Sequence, residues 1–254
     1  MKRKHLVDVR LEPNKEERAQ ICAFGDLHFG SKTCDMEKAQ ETLQRCIDKH
    51  IYVVGMGDMI EMATRYSVGA GVYEQKLTPQ DQMEQIIDFM RPIAESGLLL
   101  GMHTGNHEQR AWQTTGINVM DWICRELKTS YLNHSAFHLW RVGKESYTAF
   151  STHGSSGSRL AYTKLKSALD VFRYVQAELV LYGHLHGLDH LTSLYSCVDK
   201  RRKMVVELAR HAILTGSYLG YKGSYAEKKN LPPVQMGSPI ISLWGDEHKI
   251  HVSL

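Results

Sequence analysis

Five short segments of this 254-residue chain carry side chains able to ligate metal or move protons: Asp26-x-His28, Gly57-Asp58, Gly105-Asn106-His107-Glu108, His153-Gly154 and Gly183-His184-x-His186. Together they offer Asp, Asn and His donors without a thiolate. That mixture suits transition metals of the Mn, Fe, Co, Ni and Zn group rather than Ca or Mg. In Asp26-x-His28 and His184-x-His186 the spacing of two lets both side chains of an extended segment lie on one side. One Asp carboxylate can bridge two ions, and two ions about 3.5 to 4 Å apart form the clamp used for displacement at phosphorus. Each segment alone has a plainer reading. Gly-Asp after a strand is a turn, His beside Gly is a capped or exposed residue, and Asn-His-Glu is a helix N-terminus with Glu in its first turn.

Such distant segments meet only if the ends of neighbouring strands lie along one sheet edge. The elements needed are legible. Apolar runs at Ile21–Phe24, Ile51–Val54, Leu98–Leu100 and Leu179–Tyr182 each lead into one of the segments, and Tyr147–Ser151 feeds His153. Between them, helices are predicted over Asp35–Lys49, from Thr78-Pro79 to Ser96-Gly97, over Gly116–Lys128 and over Ser158–Gln176. Phe137–Val142 and Ser146–Ser151 read as a hairpin. Leu191–Val198, Val205–Leu214, Ile240–Leu243 and Ile250–Leu254 read as a mostly antiparallel sheet. The expected architecture is α/β, two mixed sheets packed face to face with helices outside, in one domain covering 1–254.

In this order the five blocks resemble the calcineurin-like metallophosphoesterase superfamily, whose pattern is D-x-H, G-D, G-N-H-[DE], H and G-H-x-H. The match runs from Phe24 to His186. The resemblance implies a four-layer α/β/β/α sandwich. It implies one ion held by Asp26, His28, Asp58 and His186 and a second by Asp58, Asn106, His153 and His184, with Asp58 as the bridge. The cofactor is then two divalent transition-metal ions, manganese first and Fe, Zn, Ni or Co as alternatives, and a hydroxide between them attacks phosphorus in line. His107 would face the substrate, donating to a phosphate oxygen or protonating the leaving group, with Glu108 orienting it. His153 is marked only by His-Gly, and His134 and His138 are its rivals. Asn106, Arg110 and Arg159 are candidates to contact substrate phosphate, Arg159 because it follows Ser155-Ser156-Gly157-Ser158.

Departures from subfamily patterns narrow the reaction. After Asp58 the chain reads Met-Ile-Glu-Met-Ala, without the Asp-Arg-Gly of the protein Ser/Thr phosphatases, and Glu61 stands where purple acid phosphatases place a Tyr ligand. The closing Gly-His-x-His is similar to the phosphodiesterase and nuclease branches. The expected activity is therefore hydrolysis of a phosphodiester, in nucleic acid or a nucleotide, with a phosphomonoesterase or pyrophosphohydrolase for a small nucleotide-like substrate as the alternative. A non-catalytic interaction module of the same fold would have lost ligands or the catalytic His, and here every position is filled.

Composition is that of an ordinary soluble globular protein: 43% hydrophobic and 23% charged residues, with a net charge of +3. That balance falls far short of a basic excess that would itself announce nucleic-acid binding. Five scattered Cys form no C-x-x-C pair, the basic N-terminus is not followed by an apolar run, and no stretch is long enough to span a bilayer, so a cytoplasmic setting without membrane contact is expected. Of the 14 His, those outside the five segments read as packing or surface residues, His103 packing and His190 an outer neighbour of a ligand at best. Residues 200–254 hold nine Lys or Arg against four Asp or Glu. Lys200-Arg201-Arg202-Lys203 reads as a hairpin turn that would serve nucleic acid only if it lay beside the metal cleft. The Tyr and Lys of 218–229 could line a substrate channel.

Overall fold

Strand β7, Leu179–Tyr182, shows how the layers are built. All four of its residues are buried, Leu179 and Leu181 in the core between the sheets and Val180 and Tyr182 in a second core on the opposite face. A strand with both faces covered reads as an unbroken apolar run, and this one does. The computed structural model describes residues 6–65, 67, 71–155, 157, 160–228, 230 and 232–254.

In chain order the elements are β1 (Leu6–Leu11), β2 (Arg18–Phe24), α1 (Met36–Asp48), β3 (Tyr52–Gly55), α2 (Gly71–Glu74), α3 (Pro79–Glu95), β4 (Leu99–Met102), α4 (Asn106–Thr115), α5 (Val119–Glu126), β5 (Ser135–Val142) and β6 (Glu145–Thr152). They continue with α6 (Ala161–Asp170), β7, β8 (Leu188–Asp199), β9 (Met204–Thr215), α7 (Tyr225–Lys228), β10 (Ile240–Trp244) and β11 (Ile250–Ser253). One sheet has the order β11-β10-β2-β3-β4 and the other β1-β5-β6-β7-β9-β8, both mixed. Buried residues of α1, α3 and α5 pack with the first sheet, and α6 packs on the second. Helices therefore flank two facing mixed sheets.

Local chemistry sets the helix ends. Asp35 caps α1 by accepting from the Lys38 amide at 3.0 Å, and Thr78 and Asp81 cap each other's amides around Pro79 at the start of α3. The sequence reading needs correction at four points. The C-terminal segments do not form one sheet: β8 and β9 complete the second sheet, whereas β10 and β11 return to pair antiparallel beside β2 in the first. Leu6–Leu11, read only as lacking a leader pattern, is an edge strand parallel to β5. Asn106–Thr115 is a helix, and the helix expected from Gly116 begins at Val119 with Asn118 as its cap. Of the helix expected over Ser158–Gln176, Ser158 lies outside the described residues, and the helix runs Ala161–Asp170, followed by a single 3-10 turn.

Candidate metal centre

The parallel strands β2, β3, β4, β6 and β7 end at a common edge, where hydrogen bonds lock their exit turns together. The β2–β3 ladder continues past the strands: Asp26 N donates to Gly57 O, His28 N to Asp58 O and Phe29 N to Met59 O, each at 2.9 Å. This zipper sets Asp26-x-His28 beside Asp58. Asp26 Oδ2 accepts from the His184 amide at 2.9 Å, tying in the turn after β7. Asp58 Oδ1 accepts from the His107 amide at 2.8 Å, tying in the N-terminus of α4 and leaving Oδ2 to face the cluster. Approach at the crossing is close. A Cβ on Gly105 would lie 2.1 Å from Asp58 Oδ1, and one on Gly57, at φ +89°, would lie 2.9 Å from His153 Nδ1.

Potential ligand atoms then converge from five turns. His28 Nε2 and His186 Nε2 are 3.1 Å apart, with Asp26 Oδ1 3.3 Å from His186 Nε2. Asp58 Oδ2 stands 3.8 Å from His28 Nε2 on one side and 3.3 Å from His153 Nε2 on the other. His153 Nε2 is also 3.1 Å from Asn106 Oδ1, and His184 joins Asp58 and His153 within metal-ligating reach. His153 Nδ1 donates to Met56 O at 2.9 Å, which fixes the tautomer with Nε2 free to ligate. Its rivals are elsewhere: His134 is exposed, and His138 is buried against Ser151.

Two observations indicate that these residues fit metal ions. Asp26 Oδ1 and His184 Nδ1 are buried with no hydrogen-bond partner, an arrangement that protein groups rarely accept. Of the twelve non-glycine residues with positive φ among the described residues, five are Asp26, His28, Asp58, His184 and His186. Backbone strain of about 1–3 kcal/mol per residue, gathered in one cluster, marks a site rather than a packing solution.

Electrostatics divide the cluster. Burial alone would raise the Asp58 carboxyl, but the facing His153 and His107 hold it well below its ordinary value. Burial likewise opposes charge on His153, and Asp58 outweighs it, so that ring is raised to about 10 in the absence of cations. A ring that basic is tightly coupled to its carboxylate, and a bound cation would replace its proton.

His107 has different partners. Its Nδ1 donates to Glu61 O at 2.9 Å and its Nε2 accepts from Arg110 Nη2 at 2.8 Å. The Glu61 carboxylate lies 3.3 Å from His107 Nδ1, 3.1 Å from His28 Nδ1 and 3.2 Å from Arg110 Nη1. Glu108 is not the residue that orients His107. Its buried carboxylate accepts from the amides of Asp58, Met59, Ile60 and Gly105 at 2.7–3.2 Å, clamping the turn after β3 to the start of α4. Glu61 occupies the place assigned to Glu108. Its only signal in the sequence was an acid three residues beyond Asp58.

The remaining candidates divide. Arg110 reaches the site but is engaged with Glu61 and His107. Arg159 lies outside the described residues. His190 does not reach the ligands; it stacks on His211, with ring centroids 5.3 Å apart. Tyr218 is fully buried against Phe24 rather than lining a channel. Strand β8 carries the chain away from His186 for twelve residues, about 40 Å, so the turn 200–203 is at the far end from the metal cluster. That removes the condition under which its basic charge would serve substrate at the cleft.

No protein-family model and no curated protein matches the chain. Chains of known structure do match. Among them is a conserved uncharacterized protein of Streptococcus pneumoniae TIGR4, described as a predicted phosphoesterase, at 13% identity and a TM-score of 0.38 over 93% of this chain and 98% of that one. Among the described residues no helix is long and apolar enough to cross a membrane.

Proposed function

We propose that this chain is a dinuclear metal-dependent phosphodiesterase acting on nucleic acid or a nucleotide. The observation that carries the reading is the position of Asp58 Oδ2 between two donor groups, His28 with Asp26 and His186 on one side and His153 with Asn106 and His184 on the other. Preference for a diester rests on the closing Gly183-His184-x-His186 and on the missing Asp-Arg-Gly after Asp58. Bound divalent cations would supply Lewis-acid stabilisation of phosphoryl charge and an activated water nucleophile.

The chain's own groups do the rest. Asp58 and Asp26 provide the negative charge that gathers cations into a buried site. His107, half-buried at the rim, is placed to donate a proton to the departing oxygen as the phosphorus–oxygen bond breaks. Burial opposes its charge, but Asp58 and Glu61 together raise its pKa, keeping the acid form available. Protonation ends the Arg110 contact, since Nε2 can no longer accept, and frees the guanidinium for a phosphate oxygen.

The test is hydrolysis by Mn-loaded protein of a phosphodiester and the matching monoester, before and after EDTA. A diester preference abolished by EDTA and restored by Mn is expected. Preference for the monoester would transfer the assignment to the phosphomonoesterase reading, and EDTA-insensitive turnover would end the metal mechanism.

A further inference from the structure

Among the described residues, strand β8 is the longest sheet edge without a ladder partner. It closes the second sheet, and among the described residues its outer side has no ladder partner. Beyond the stretch of β9 that pairs with β7 (His211–Leu214), β8 and β9 run on as a two-stranded ribbon to the turn at 200–203. Natural edges are usually interrupted by Lys, Pro or a bulge. β8 reads LDHLTSLYSCVD, with no Lys, Arg or Pro and an unbroken register with β9. On one face of the ribbon Leu194, Val198 and Val205 are 69%, 66% and 66% exposed, unusual for aliphatic side chains in a sheet.

We propose that β8 pairs antiparallel with β8 of a second copy of this chain about a two-fold axis at Ser196, joining the two six-stranded sheets into one. A two-fold contact must be complementary to itself. In this register Leu194 faces the partner's Val198 and Tyr195 faces the partner's Cys197, each pair occurring twice, and the partner's basic turn, which follows its β8, comes alongside the start of β8 near Asp189. Shifting the centre to Leu194 would set Asp189 against the partner's Asp199, a like-charge pair that disfavours that register. The basic turn, far from the metal cluster, thus finds its counter-charge near the start of the partner's β8. Main-chain hydrogen bonds supply affinity, and the aliphatic face selects the register.

Sedimentation of the full chain at tens of micromolar tests this. The expected result is a species of twice the 28.9 kDa protomer mass, reduced to the protomer mass by Leu194→Lys with Val198→Lys while far-UV circular dichroism is unchanged. Ser196→Cys in a Cys197→Ser background should give a disulfide-linked dimer on mild oxidation, because directly opposed antiparallel residues have Cα atoms about 4.5–5.5 Å apart. Ser193→Cys in the same background should not. A monomeric wild-type chain, a dimer that survives the double substitution, or cross-linking at position 193 instead of 196 would each overturn the proposal.

Discussion

At the scale of single residues, the proposed ligands and the proposed proton donor differ in their hydrogen-bond partners rather than in distance. His107 lies within ligating reach of Asp58 and His28, yet its two ring nitrogens are committed to Glu61 O and Arg110. His107→Ala should therefore keep near-normal metal content by elemental analysis while lowering kcat by about two orders of magnitude. Parallel loss of metal and activity would make His107 a ligand. Glu61→Gln keeps an acceptor but removes a charge that raises the His107 pKa, so the alkaline limb of the kcat profile should move to lower pH with metal content retained. An unmoved limb would remove Glu61 from the proton-donor apparatus. The Asp and His of the cluster were legible because their types and two-residue spacings are themselves the chemistry. Glu61 was not, because its place depends on the turn after β3 folding back beneath α4, which spacing does not encode.

At the scale of elements, Glu108 does for the backbone what Asp58 does for the cluster. Four amides from two turns converge on one buried carboxylate. Glu108→Gln would present an NH2 to one pair of those amides, donor against donor, at a cost of about 1–3 kcal/mol for each group left unsatisfied. The expected loss of Tm is several degrees, and it should be the same in metal-free protein by calorimetry. A variant of unchanged Tm that had lost only activity would return Glu108 to the catalytic role expected for it. Strand β7 and helices α1 and α3 were readable because an apolar run or a cap identifies each without its neighbours. β1 escaped because its alternating, half-exposed LVDVRL acquires meaning only beside β5, and α4 because its N-terminal Asn-His-Glu is also a motif. The partition of the C-terminal strands between two sheets depends on which edge each strand finds, and no local pattern records that.

Across the whole molecule, the two sheets are joined by a buried polar bridge whose histidine resists protonation. His103, next after β4, faces Ser151 of β6 with Nε2 2.6 Å from the hydroxyl, and the same hydroxyl meets His138 Nε2 of β5. Because His103 Nδ1 must donate to Asn133 O, the Nε2 of a neutral His103 accepts from Ser151, and charging the ring reverses that bond, so that Nε2–H donates to the hydroxyl oxygen. Burial first, then the neighbouring His138, lowers His103 to about 3, and burial with His190 lowers His211 to about 4. A His depressed in the folded state takes up its proton on unfolding. Its contribution is therefore complete above the unfolded value near 6.5 and is lost as pH falls toward the folded value. Each unit of that interval is worth about 1.4 kcal/mol per group. His153, raised to about 10, acts in the other window, losing its contribution as pH rises above 6.5, and the depressed carboxylates Asp26, Asp58 and Glu61 act below about 4. Urea unfolding of metal-free protein should thus show stability falling from pH 6.5 to 4.5. His103→Gln should lower stability at pH 7 yet flatten that fall, leaving the share owed to His211 and the other depressed histidines. A slope identical to wild type in His103→Gln would mean that His103 is not held neutral in the folded protein.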